Sequence, residues 1–158
     1  MKKKRALLKK IIAALTVELE RFAVAARKSH AEATHEQSKA EHKYDTRGLE
    51  AAYLAGGQAR KVAELEESIT LFQKLSLREF DDGQLIDLSA LVEVKMGGAS
   101  NLYFLGPRHG GLEIIHSGEE ITVITPQSPL GAELIGRKQG DKFLFGPGKM
   151  ACQITSVI

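Results

Sequence analysis

The chain is short of the residues that build disulfides, metal clusters and membrane spans. It has one cysteine, Cys152, among 158 residues. That excludes an intrachain disulfide and any cysteine-cluster metal site. No apolar run reaches the roughly 20 residues needed to cross a bilayer. The basic start, Lys2-Lys3-Lys4-Arg5, is followed by apolar residues that Lys9, Lys10, Glu18 and Glu20 interrupt, a poor secretory signal. The expected location is therefore the cytoplasm. There is no tryptophan, and aromatic residues make up 6% of the chain. Proline is absent before Pro107, and glycine before Gly83 is confined to Gly48, Gly56 and Gly57.

That uneven distribution divides the chain. Residues 1–75 are rich in Ala, Leu, Glu, Lys and Gln, which favour helix. From Gly83 onward there are twelve glycines, four prolines and many β-branched residues. The division expected is a helical domain over 1–75, a polar link at 76–84 and a sheet domain over 85–158. Charge divides in the same way. Residues 1–75 carry fifteen Lys/Arg against ten Asp/Glu, and residues 76–158 carry seven against ten. An excess of this size fits a solvated helix surface or contact with an acidic partner, and falls short of a nucleic-acid-binding patch.

The helical part has a heptad. Leu8, Ile12, Leu15, Leu19, Phe22 and Ala26 alternate spacings of four and three, and Ser29 and Ala33 continue the series. A second series runs Ala51, Ala55, Gln58, Val62, Leu65, Ile69 and Phe72. Paired antiparallel, Ile12 faces Phe72, Leu15 faces Ile69, Leu19 faces Leu65 and Phe22 faces Val62. Farther out, Ala26 faces Gln58 and Ser29 faces Ala55. The turn then falls near residue 42. Each arm has about 33 residues, roughly 50 Å of helix at 1.5 Å per residue, bulky at the base and polar toward the tip. Asp45 is placed to cap the second helix. Gly56-Gly57 inside that helix costs about 1 kcal/mol per glycine relative to alanine. The pair either thins or bends the arm, or allows close packing opposite Ala26 and Lys28.

Strands are expected at about 89–96, 102–106, 111–116, 120–125, 142–146 and 149–157, with turn signals at Gly97-Gly98, Gly110-Gly111, Gly140-Asp141 and Pro147-Gly148. Ser128-Pro129 reads as a helix cap followed by proline at the first helical position, and Gly136 ends that short helix. The expected module is a small antiparallel sheet with one short helix on a face, so the chain as a whole is of the α+β class.

The run Ser128-Pro-Leu-Gly-Ala-Glu-Leu-Ile-Gly-Arg-Lys-Gln-Gly-Asp141 resembles the C-terminal signature of the bacterial Gre transcript cleavage factors. These combine an N-terminal antiparallel coiled coil with an FKBP-like C-terminal domain, and the resemblance spans nearly the whole chain. It implies that RNA polymerase is the partner and that the C-terminal domain docks at the rim of its secondary channel. Gln127, Ser128, Pro129, Leu130, Gly131 and Leu134 would form the docking surface. It implies a coiled coil that enters the channel, with indirect contact to nascent RNA and template DNA, and a protein that works as a monomer without a membrane. Acidic tip residues would help hold a Mg²⁺ shared with the polymerase active site, which itself hydrolyses backtracked RNA. The chain would then be no enzyme and would have no cofactor of its own. One or two carboxylates suffice for such a task, because Mg²⁺ takes hard oxygen ligands and keeps several waters.

At the tip the sequence departs from the family. The family has a Glu three residues after the Asp; here Asp45 is followed at that place by Gly48, and the next acid is Glu50. The resemblance therefore leaves Asp45 as the first tip acid and metal ligand, with Glu41, Glu50 and Glu36 as candidate partners. Three readings stay open: a Gre-like factor that stimulates cleavage, a Gre-like channel binder that modulates or inhibits transcription without cleavage, and a coiled-coil adaptor or chaperone-like binding module. His30, His35 and His42 near the tip could be metal ligands or solvated helix residues. With so few aromatics to line a proline pocket, prolyl isomerase activity is not expected despite the fold implied.

Overall fold

The computed structural model describes residues 1–34 and 47–158, with side chains described outside 33–55. Two long helices come first, α1 (Lys2–Thr34) and α2 (Arg47–Lys74). Six strands and one short helix follow: β1 (Leu91–Met96), β2 (Ala99–Leu105), β3 (Glu113–His116), β4 (Glu119–Ile124), α3 (Pro129–Leu134), β5 (Lys142–Phe145) and β6 (Met150–Val157). The class is α+β, and each strand lies within a few residues of its expected place. The residues group into two compact units, Ile12–Thr70 and Met1–Ile11 with Leu71–Ile158.

In the helical unit the contacts climb one helix as they descend the other, so α1 and α2 are antiparallel. Lys61 Nζ lies 6.0 Å from the centre of the Phe22 ring, and Ser29 Oγ lies 3.3 Å from Gln58 Oε1. Leu15 and Leu65 are fully buried. The expected face of α2 is the observed one: Val62 and Ile69 are half-buried, and Leu65 is buried between them. Ser29 meets Gln58 where Ala55 was expected, a contact to the adjacent layer.

The start of α1 departs from the heptad. Lys4, Leu7 and Ile11 are the buried residues, while Leu8 and Ile12 are half-buried. The reason is that Met1–Ile11 packs in the sheet unit, so the sheet decides which face is covered. Lys3 Nζ pairs with Glu119 at 2.6 Å, Lys10 Nζ donates to the Ile115 carbonyl at 2.9 Å, and Lys4 Nζ donates to the Arg78 carbonyl. A seam read from helix periodicity alone cannot anticipate a partner that is not a helix.

The sheet has the order β3-β4-β2-β1-β6-β5. It is mixed, which corrects the expectation of an antiparallel sheet: β2 pairs parallel to β4, from Leu102 opposite Ile121 to Leu105 opposite Ile124. The cause is the connection after β2. Residues 106–112 carry the chain past the neighbouring position, and the tight β3–β4 hairpin then returns β4 to lie between β2 and β3. Local turn chemistry specifies each hairpin but not which hairpin pairs with which. At the β1–β2 turn, Gly97 and Gly98 both have positive φ (55° and 86°), the conformation of a two-residue turn whose twist suits antiparallel strands.

Both faces of the strands contribute to the core of the sheet unit: Leu91, Phe104, Ile121 and Val123 are buried on one, and the larger cluster is on the other. Val92, Val94, Leu105 and Ile154 are fully buried and pack with Ile86, Leu134 and Phe143. Gly106 lies against the Phe72 ring: a Cβ there would come within 2.9 Å of two ring carbons. Among the described residues no helix is long and apolar enough to cross a membrane.

Candidate functional site

The Ser128 signature folds as a compact, internally bonded unit. β4 ends at Ile124, and the Thr125 carbonyl accepts from both the Ser128 amide (3.0 Å) and the Ser128 hydroxyl (2.7 Å). The same hydroxyl accepts from the Gly131 amide at 3.1 Å, so Ser128 caps α3 as the sequence implied. Pro129 occupies the first turn, where the missing N–H costs nothing. Gly131 is buried against this loop, and a Cβ on it would come within 1.8 Å of the Thr125 carbonyl oxygen. No other residue fits there without opening the turn.

The rest of the signature closes the other end of the helix. Gly136 has φ 78° and leaves the helix by a backbone conformation that a side chain disfavours. Its amide donates to the Ile86 carbonyl at 3.0 Å, and the Ile86 amide donates to the Arg137 carbonyl at 2.7 Å. Arg137 turns back on α3: Nε donates to the Glu133 carbonyl at 2.6 Å, and a terminal nitrogen pairs with the Glu133 carboxylate at 2.9 Å. Its guanidinium also lies 5.0 Å from the centre of the Phe143 ring. The Asp141 carboxylate accepts from the Lys138 amide at 3.0 Å and closes the turn into β5. Most of the signature is thus spent on holding its own shape.

What remains for a partner is narrower than the six residues named from the sequence. Gln127 and Pro129 are exposed, and Ser128 is half-buried with its hydroxyl occupied. Leu130 is 8% exposed, Gly131 is buried and Leu134 is fully buried in the core. Leu130 and Leu134 anchor the helix, and the residues of this stretch that face solvent are Gln127, Pro129 and the neighbouring Ala132. The loop after β2 also borders this turn, a neighbour the sequence reading missed: a Cβ on Gly110 would lie 3.6 Å from the Thr125 methyl. No local signal points to it, because the adjacency follows from the parallel β2–β4 pairing.

The tip is the second candidate. Glu36, Glu41 and Asp45 lie outside the described residues, as do His35 and His42, and Glu50 has only its backbone described, in α2. Among the described residues no group of His, Cys, Asp and Glu is arranged to hold a metal ion. Farther down the arm, Gly56 and Gly57 are exposed, and a Cβ on either would meet nothing within 4 Å. Close helix–helix packing therefore does not account for the pair.

The sheet unit holds one strongly perturbed lysine. Lys4 is 1% exposed, with its ammonium on the Arg78 carbonyl and 4.8 Å from the centre of the Phe80 ring. Burial pushes its pKa down from 10.5 to about 8, partly offset by the Glu79 carboxylate and reinforced by Arg78.

No family model matches the chain, and no curated protein does. The solved structures similar to it include transcription factors of the Gre type. Gfh1, the GreA factor homolog 1 of Thermus thermophilus, is 20% identical, with 93% of this chain and 94% of that one covered and a TM-score of 0.38. Gfh1 of Thermus aquaticus is 21% identical over 99% of this chain and 95% of that one, with a TM-score of 0.37. The transcription elongation factor GreA/GreB from Nitrosomonas europaea is 14% identical over 69% of this chain and 91% of that one, with a TM-score of 0.32.

Proposed function

We propose that this chain is a Gre-type transcription factor that binds RNA polymerase at the secondary channel and acts on paused or backtracked elongation complexes. The observation that carries the reading is the Ser128–Asp141 signature, folded as a self-braced cap that turns Gln127 and Pro129 to solvent. The helical hairpin ahead of it supports the same reading, as a lever long enough to reach a buried active site. In this reading the sheet unit, Met1–Ile11 with Leu71–Ile158, docks on the channel rim and the helical unit, Ile12–Thr70, enters the channel. Asp45, with Glu41, Glu50 or Glu36, would help hold a Mg²⁺ shared with the polymerase, which carries out the hydrolysis itself.

Two measurements test it. Core polymerase should retain the protein, and Gln127→Ala with Pro129→Ala should weaken that retention while leaving the fold intact. A stalled, backtracked complex should yield shortened RNA on addition of the protein, and none with Asp45→Ala. Failure to bind core polymerase at saturating protein would remove the whole reading in favour of an adaptor or chaperone-like module.

A second reading is favoured by one observation, Gly48 at the position where the family has a carboxylate. Without the family's carboxylate at that place, the hairpin would occupy the channel without stimulating cleavage, and the protein would inhibit or modulate transcription. Binding without cleavage, together with competition against a cleavage-competent Gre factor, selects it.

A further inference from the structure

We propose that the outer face of the sheet across β1, β6 and β5 is a second docking groove, built for an extended acidic segment of a partner protein. It lies in the sheet unit and does not involve Ser128 or the helical hairpin, so it stands apart from the polymerase reading. The groove has a volume of about 590 Å³.

Register puts its chemistry in two rows. Lys95 is the lateral partner of Gln153, and Gln153 is also the partner of Lys142, so two cations flank one amide across three strands. The next row is apolar: Leu144 is paired with Ala151, and Gly97 and Gly98 leave that end without side chains. Leu144 is 60% exposed, and Ala151 beside it is exposed as well. Among the described residues, no Asp or Glu lines the groove. Of the carboxylates on this face, Glu93 accepts from the Thr155 hydroxyl at 2.9 Å, and Glu119 pairs with Lys3 of α1. Positive charge therefore stands over the β5–β6 end, where no carboxylate in the lining neutralises it.

The sheet's two edges are treated differently. At the β3 edge, Lys10 donates to the Ile115 carbonyl and covers part of the strand. At the β5 edge no further strand follows among the described residues. Every second residue of such a strand turns its N–H and C=O away from the sheet, and β5, with the sequence Lys-Phe-Leu-Phe, has one charge to discourage pairing. An added strand would gain backbone hydrogen bonds along β5 and place an acidic side chain beside Lys142 and an apolar one beside Leu144, and the residues flanking it would carry further acids over the face toward Lys95. A nucleic acid fits less well, because Phe143 is 7% exposed and no aromatic face is offered for base stacking.

The full-length chain labelled with ¹⁵N should be titrated with a panel of decapeptides that alternate Asp or Glu with Leu, Val or Phe. At least one should bind more tightly than about 1 mM, shifting amides at 95–98, 142–145 and 151–153. The same peptide with Asn and Gln in place of its acids should bind at least about tenfold more weakly, as should Lys95→Glu with Lys142→Glu. Leu144→Lys should weaken binding with the melting profile unchanged, since this side chain is outside the core. No shift with any peptide of the panel overturns the proposal. So does a single-stranded RNA that moves the same amides and loses affinity in the lysine variants, which would assign the face to nucleic acid.

Discussion

Gly131→Ala tests the reasoning about the Ser128 turn most directly. The added methyl would sit 1.8 Å from the Thr125 carbonyl oxygen, 2.7 Å from its carbon and 2.8 Å from the Ser128 hydroxyl. Two of those atoms are backbone, so no side-chain rotation relieves the clash. Either α3 moves away from the loop or the loop opens, and both lose the bonds that join Thr125, Ser128 and Gly131. Overpacking of this kind costs about 1–3 kcal/mol, and loss of a serine cap adds about 1 kcal/mol. The expected destabilisation is about 3 kcal/mol, or roughly 12–24 °C in melting temperature for a unit the size of Met1–Ile11 with Leu71–Ile158. The two compact units can unfold separately, so the readout should report on the sheet unit; hydrogen exchange of the Val94, Leu105 and Ile154 amides serves. Ala132→Ser, on the exposed side of the same helix, is the control and should change stability by less than about 0.5 kcal/mol. If Gly131→Ala matches that control, the turn is not the close-packed device described, and the signature owes its glycine to something else.

Other outcomes follow from the same geometry. Lys4 binds fewer protons folded than unfolded between pH 8 and 10.5, so its contribution makes stability rise with pH across that window. The total is at most about 3 kcal/mol, less wherever water reaches the ammonium. Subtracting urea-unfolding curves of Lys4→Met from wild type should reveal this rise, and a flat difference would contradict it. Gly56→Ala and Gly57→Ala meet open space and should each stabilise the helical unit by about 1 kcal/mol, read from helix melting by circular dichroism; a loss of stability would show that the backbone there needs glycine. Gly106→Ala should destabilise the sheet unit by about 1–3 kcal/mol through the Phe72 ring, and combining it with Phe72→Leu should recover part of that loss.

Some elements were legible in the residues because their causes are local. The Ser128 cap, the proline after it and the Gly136 exit depend on contacts within a few positions. The strands were readable for the same reason, through alternation and turn residues. The buried face of α2 followed from periodicity, because its partner is another helix. The candidate docking surface was readable only as a stretch of chain. Its division into the exposed Gln127 and Pro129 and the core residues Leu130 and Leu134 depends on which side of a one-and-a-half-turn helix meets the sheet.

By itself, then, the sequence determined two helices, a set of hairpins, a capped turn and the acids available near residue 42. Each of these is decided by propensity, period or capping over a short span. Only the tertiary structure decided that β4 lies parallel beside β2, that α1 begins with Lys4, Leu7 and Ile11 buried in place of Leu8 and Ile12, and that Lys95 and Lys142 flank Gln153 on an open face. These are long-range outcomes. They depend on which surfaces compete for burial once the chain has closed on itself, and residues a hundred positions apart, such as Lys10 and Ile115, settle them together.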